Sequence, residues 1–159
     1  MEVAIDHLCR HAHLTEAVAR LIHGAFWKDV KNGMTEADLV AHLRNTGDPA
    51  RIPLSLVALA DGRLAGTVNL IDNDDRKRTH LHPWLAAMVV VERHRGQGIG
   101  TRLVQELLTK AARLGFNAVY FGTDGPGFYT RLGAQLHEQV TPEFCIMRFP
   151  PANPGGHPE

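Results

Sequence analysis

The chain has 159 residues, enough for one domain with a single core and too few for two. Its seventeen Lys and Arg balance seventeen Asp and Glu, so no global charge draws it toward nucleic acid or an anionic membrane; either partner would need a local patch. Two cysteines far apart, Cys9 and Cys145, exclude a disulfide framework and a CxxC zinc or redox site, and a reducing cytoplasm fits them best.

The N-terminal MEVAIDHLCRHAH carries no basic segment followed by a long apolar run, and no window reaches membrane-spanning length. The expectation is a soluble, unexported chain. Val3 and Ile5 alternate with polar neighbours and predict a short strand; Leu14, Val18, Leu21, Ile22, Ala25 and Phe26 then recur at helical spacing. FWKDVKNGM reads as a loop. A second helix begins near Thr35, where Thr35 and Asp38 have capping-box spacing, and stops at Gly47-Asp48-Pro49.

Two apolar runs, Leu54 to Ala60 and Leu64 to Ile71, flank Asp61-Gly62, a strong short-range hairpin signal. A charged stretch from Asp72 to Arg78 leads to the strand Trp84 to Val91, apolar on both faces as a central strand should be. From Ile99, the residues Leu103, Leu107, Leu108 and Ala111 mark one face of a helix ending before Gly115. A strand from Ala118 to Thr123, a short helix around Phe128 to Leu132, and an antiparallel pair, Gln135 to Val140 with Phe144 to Phe149, complete the pattern. Residues 1–150 read as a single domain and 151–159 as a disordered tail. The order β-α-α-β-β-β-α-β-α-β-β, without internal repeat, predicts an α+β arrangement with a mixed sheet.

The stretch VVVERHRGQGIGTRLV, beginning at Val89, runs from a strand through three alternating glycines into a helix. A helix N-terminus exposes unsatisfied N–H groups and partial positive charge, and glycines before it let an anion approach the backbone. Glycines alone are equally compatible with a tight turn that binds nothing. A dinucleotide fingerprint fails on spacing, since Thr101 stands where the third glycine is needed, and a P-loop fails for want of its lysine. A methyltransferase-like G-x-G-x-G is present, yet about sixty residues follow it, too few for the further βα units of that fold.

Arg95-Gly96-Gln97-Gly98-Ile99-Gly100 resembles the R/Q-x-x-G-x-G/A signature of the GNAT superfamily of N-acetyltransferases, and the segments around it are similar in order too: MVVV, RGQGIG, TRLVQELLTKAARLG, AVYFGT and FYTRLG. The resemblance spans roughly Leu54 to Arg148. It implies an α/β/α sandwich: a mixed, mostly antiparallel sheet with a splayed central strand pair and about four helices. It also implies direct transfer of an acetyl group from acetyl-CoA, as cosubstrate, to a primary amine of a small molecule or peptide in a ternary complex.

On that resemblance the pyrophosphate would lie on the backbone of Gly96, Gln97, Gly98, Ile99 and Gly100, with Arg95 beside it and Thr101 opening the helix. The pantetheine arm would pair with Met88, Val89 and Val90, and an oxyanion-stabilising N–H would come from near Val89 or Val90. Tyr129 matches the tyrosine that protonates or hydrogen-bonds the leaving sulfur, at once a catalytic and a coenzyme-binding position. The glutamate many relatives carry on the central strand is missing from Trp84-Leu85-Ala86-Ala87, and Glu92 lies past the splay, beside the turn. His80 and His82 are candidates for the base, as are Asp72 and Asp74.

The His-x-His spacing of His80 and His82, repeated at His11 and His13, is too weak to predict a metal, and none is expected. Phe26, Trp27 and Trp84 could line an acceptor pocket; core packing suits Phe26 better, and Trp27 fits either role. Three other readings stay open: a non-catalytic acyl-CoA-binding module, a protein N-terminal acetyltransferase, and an enzyme acetylating aminoacyl-tRNA. Neutral charge disfavours the last of these and nucleic-acid partners generally. No membrane partner is expected, and a homodimer is compatible with the sequence.

Overall fold

The hairpin forms as the Asp61-Gly62 pair demands, both residues having positive φ, 49° and 82°, the backbone of a two-residue turn whose twist matches its strands. It joins β2 (Leu54–Ala60) to β3 (Arg63–Ile71) in a computed structural model that describes residues 1–151. The tail expected over 151–159 therefore lies, but for Pro151, outside the described residues. With β1 (Val3–His7), β4 (Trp84–Val90), β5 (Val119–Thr123), β6 (Gln135–Thr141) and β7 (Phe144–Phe149), the sheet has seven strands in the order β1-β2-β3-β4-β5-β7-β6. Every neighbouring pair is antiparallel except β4 and β5.

Four α-helices flank the sheet: α1 (Thr15–Ile22), α2 (Glu36–Arg44), α3 (Ile99–Arg113) and α4 (Pro126–Arg131). The capping box is present, Asp38 N–H donating to Thr35 Oγ1 and Thr35 N–H to Asp38 Oδ2, each at 3.0 Å. At the C-terminal end of α3, Gly115 N–H donates to Ala112 O and Phe116 N–H to Ala111 O, a paired closure that turns the chain sharply into β5.

Side chains alternate between the faces of the sheet, and each face has its own cover. On one, Ile99, Leu103, Val104, Leu107 and Ala111 of α3 pack with Leu54, Leu56, Val68, Leu85, Phe121 and Met147 in the main core, joined by Phe128 and Tyr129 of α4. On the other, α1 and α2 bury Val18, Ile22, Leu39 and Leu43 against Val57 and Val89. Farther along that second face, Leu81 of the β3–β4 connection packs on Trp84 and Ile146. Among the described residues no helix is long and apolar enough to cross a membrane.

The first helical segment departs from the single α-helix its spacing predicts. A 3₁₀ stretch at Leu8–Leu14 precedes α1, and a π-turn over His23–Trp27 follows it, with Lys28 N–H bonding His23 O five residues back. The wider turn rotates later residues off the 3.6-residue stripe. Phe26 therefore emerges 46% exposed instead of in the core, while Trp27 packs at the edge of the α1–α2 cluster.

Candidate active site

β4 and β5 are register partners at one position only, Trp84 with Tyr120, where Tyr120 N–H donates to Pro83 O at 2.9 Å. Beyond it each strand pairs with its outer neighbour, β4 with β3 and β5 with β7, so the parallel pair opens toward its C-terminal end. A bulge in β4 accompanies the opening: Thr67 faces Val89 and Asn69 faces Ala86, setting three steps of β4 against two of β3. Ala87, inside the bulge, sits at φ 52°, a conformation that costs a residue with a Cβ about 1 kcal/mol.

The alternation of backbone groups along a strand selects one free donor. Val91 N–H donates to Ala65 O at 2.8 Å, so Val89 also turns its N–H toward β3, and the amide groups of Val90 face the opening. The Val90 carbonyl on that side accepts from Arg95 Nε at 3.1 Å, folding the arginine back over the gap. Of the two positions expected to supply an oxyanion donor, the geometry brings forward Val90.

After β4 a short 3₁₀ turn, Glu92–His94, leads into the glycines. Gly96 and Gly98 stand at φ 77° and 80°, and a Cβ built on either would meet no heavy atom within 4 Å. Both are needed for backbone conformation, and the surface they bare is open. Among the described residues the N–H groups of Gly96, Gln97, Gly98, Ile99, Gly100 and Thr101 find no acceptor, and α3 has no side-chain cap. The result is an array of donors at the positive end of a fifteen-residue helix. Arg93 and Arg95 lie exposed beside it, and Arg102 turns away to donate to Val3 O at 2.8 Å. Such an array of donors suits an anion, and its chemistry fits the pyrophosphate of a coenzyme A molecule.

The far wall of the opening is α4. A Cβ on Gly100 would lie 3.4 Å from Phe128 Cζ and 3.5 Å from Met88 Cε, so the glycine turn, the bulged strand and α4 meet at one point. Tyr129 packs its ring on Phe121 (centroids 4.4 Å apart) and edge-on to Phe128 (4.9 Å). Burial pushes its phenol above the ordinary value, and its hydroxyl has no hydrogen-bond partner among the described residues. The group stays protonated at neutral pH with its proton uncommitted.

The histidines expected to serve as base do not join this cluster. His82 pairs its Nδ1 with Asp72 Oδ1 at 2.5 Å and sets its ring against Phe116, just past the end of α3, at 5.2 Å. It precedes Met88 by six residues, on the order of 20 Å of extended strand, and His80 is exposed in the same connection. The Asp74 carboxyl in that connection is pushed up to about 6, by burial first and Asp75 second, although the residue as a whole is exposed. Trp84, 1% exposed, holds the closed end of the pair, its indole N–H donating to Leu81 O at 2.8 Å, and is packed in the core with Leu81 and Ile146. Glu92 is exposed beside the turn. His11 bonds Asp6 Oδ2 through Nε2 at 2.9 Å, and among the described residues no three His, Cys, Asp or Glu gather as a metal site would require.

The sequence reading does not single out Ser55 and Asn69, which lie side by side beneath the bulge with Ala86: Ser55 is the register partner of Asn69, and Asn69 of Ala86. Each is a polar residue in a largely apolar run, but a plain two-residue hairpin would set Ser55 opposite Val68; the irregularity between Ala58 and Leu59 shifts the register by one and brings Ser55 opposite Asn69.

Comparison with known proteins bears on the fold and the family. The chain resembles N-alpha-acetyltransferase 30 of Schizosaccharomyces pombe, 33% identical over 84 residues, which cover 50% of this chain and 55% of that one; it thus spans about half the length of this curated relative. Among solved structures it superposes on an aminoglycoside 6'-N-acetyltransferase complexed with coenzyme A (TM-score 0.72, 16% identity, 98% of this chain and 99% of that one). It also superposes on the GNAT family N-acetyltransferase YhbS from Escherichia coli in complex with CoA (TM-score 0.68, 22% identity, 96% and 83%). The model of the Acetyltransferase (GNAT) family matches residues 20–134, which take in the glycine turn, the bulged strand and Tyr129. The chain belongs to the GNAT acetyltransferase family.

Proposed function

We propose that the protein is an acetyl-CoA-dependent N-acetyltransferase that acts on a primary amine by direct attack in a ternary complex. The observation that carries this is the meeting of three elements at Gly100: a row of free backbone N–H groups, a bulged strand with one amide turned to the opening, and α4, whose Phe128 reaches this point and whose next residue, Tyr129, packs on Phe128 and keeps an uncommitted proton. Gly96 to Thr101 hold the pyrophosphate, Arg95 adds charge, and Met88 to Val90 align the pantetheine arm. The Val90 N–H, once Arg95 swings aside, faces the developing negative charge on the thioester oxygen. The amine nitrogen bonds to the acetyl carbon and gives up a proton to solvent water, the carbon–sulfur bond breaks, and Tyr129 gives its proton to the departing sulfur and recovers one from solvent.

No carboxylate or imidazole has joined the cluster, and this bears on the acceptor. At pH 7 an α-amine of pKa about 8 is roughly 10% free base, whereas a lysine amine of pKa about 10.4 is free in only about 0.04% of molecules. A site without a strong base is suited to the first. The partial likeness to an N-alpha-acetyltransferase supports the same choice, so peptide or small-molecule α-amines are the acceptors to try first. The test is to incubate the protein with acetyl-CoA and a panel of α-amines, lysine-type amines and aminoglycosides, following free thiol. Release dependent on an amine is expected; tight acetyl-CoA binding with no release on any amine would establish the non-catalytic module instead.

A further inference from the structure

Buried polar groups in folded proteins nearly always find partners, and an exception calls for a reason. Ser55, 1% exposed, is such an exception: its Oγ is enclosed and makes no hydrogen bond. Directly across the ladder is Asn69, 6% exposed, whose Nδ2 donates to Ala86 O at 3.3 Å. A carbonyl can only accept, so the amide group facing Ala86 O is the NH₂ and the orientation of Asn69 is fixed. Its Oδ1, turned the other way, has no donor among the described residues.

The place of this row matters as much as its chemistry. Val57 and Val89 lie on one side of it, beneath α1 and α2; Ile71 and Trp84 lie on the other, beneath Leu81. Ser55, Asn69 and Ala86 cross β2, β3 and β4 in the seam between these two apolar covers. Ala86 and Ala87 are half-buried there, in a strand otherwise closed at this end. Met88, Phe128 and Tyr129 belong to the core on the opposite face. The seam therefore opens at the bulge from the side away from the donor's wall.

We propose that this seam is the seat of the acceptor amine, with Asn69 Oδ1 accepting a hydrogen bond from the attacking nitrogen and Ser55 a positioning residue that keeps the floor polar beneath Asn69. This rests on the acetyltransferase reading above. The choice of an amide has a consequence. A carboxylate would favour the charged ammonium, whereas a neutral oxygen orients the nitrogen without holding its proton, which suits a site that admits amines of low pKa.

The experiment uses the full chain loaded with CoA and two probes: a pool of tetrapeptides with free N-termini and the same pool N-formylated. In calorimetry the free pool is expected to bind and the formylated pool not to. Asn69→Leu, with Asn69→Ala in reserve should the first fail to fold, is expected to weaken free-pool binding at least tenfold while leaving the CoA affinity within twofold. With acetyl-CoA the same variant is expected to release thiol at least tenfold more slowly, and Asn69→Asp to shift the pH profile of release toward higher pH. Free-pool binding by Asn69→Leu equal to that of the unaltered protein would overturn the seat. Ser55→Ala is expected to keep or raise Tm while slowing release less than Asn69→Leu; a fall in Tm would return that hydroxyl to the fold alone. If the unaltered protein binds the free pool but releases no thiol, the acetyltransferase reading fails and the seat stands.

Discussion

At its first residue β4 is locked: Trp84 pairs with Tyr120, is enclosed by Leu81 and Ile146, and has its indole N–H satisfied. Four residues on, at Met88, the same apolar strand carries a bulge, a strained alanine and an amide turned to open space. Hydrophobicity does not distinguish the two ends, since WLAAMVV is apolar throughout. What differs is the pairing of the backbone. A closed end with every group satisfied anchors the sheet, and an open end with unpaired groups can accept a ligand as its missing strand.

Breaking the closed end should have the largest effect. Trp84→Ala removes a fully buried indole and is expected to destabilise the protein by about 3–5 kcal/mol in urea unfolding. The fraction that remains folded should bind acetyl-CoA with unchanged affinity, if the ends are as separate as the pairing indicates. Next comes the cradle. Gly98→Val forces a β-branched side chain into φ 80° and is expected to weaken acetyl-CoA about 100-fold by calorimetry, near 2.8 kcal/mol at 1.4 per decade. A Kd within threefold of the original would mean that the turn is not the donor's anchor. Smaller again is Tyr129→Phe, which keeps the packing on Phe121 and removes one hydroxyl. Single-turnover thiol release should fall about 10- to 100-fold with the acetyl-CoA Kd unchanged, and an unchanged rate would remove the tyrosine from the chemistry.

The open end was the more legible of the two, for a physical reason. Turn chemistry is local, so Asp61-Gly62, the Thr35–Asp38 box and the glycines after β4 announce themselves in a few residues. The bulge at Ala87 leaves no such mark, because a strand apolar on both faces has no alternation for an extra residue to interrupt. The π-turn that exposes Phe26 is likewise invisible to a 3.6-residue count. His80 and His82 looked placed for catalysis because they precede the central strand, yet a parallel pair opens at its C-terminal end, and residues before β4 lie at the closed one. Asn69 and Ser55 belong to no motif, and counting back from the hairpin turn sets Ser55 opposite Val68, because the irregularity at Ala58 and Leu59 that shifts the register leaves no mark in an apolar run.

The smallest effect sharpens the comparison furthest from the opening. Arg78, in the β3–β4 connection, donates from Nε and Nη2 to the Glu138 carboxylate of the outermost strand at 3.0 and 2.6 Å, and from Nη1 to Asp75 at 2.8 Å. It thereby straps that connection to β6. The arginine's hydrogen bonds hold the Glu138 carboxyl below the usual carboxylate range. At Asp75 burial pulls upward, but the Lys77 N–H and Arg78 outweigh it and the net shift is also downward. A carboxyl whose folded pKa is depressed stabilises the fold above its unfolded pKa, near 4, and that contribution is lost as pH falls through the folded value. Glu138→Gln should therefore lower Tm by about 1–2 °C at pH 7, a modest figure because the Glu138 side chain is 47% exposed. The gap should close as the pH is brought to 3 and below, where the unaltered protein loses the same charge. Because the strap lies over the closed end, acetyl-CoA affinity at pH 7 should not move; a parallel loss of affinity would show that the two ends of β4 are coupled after all.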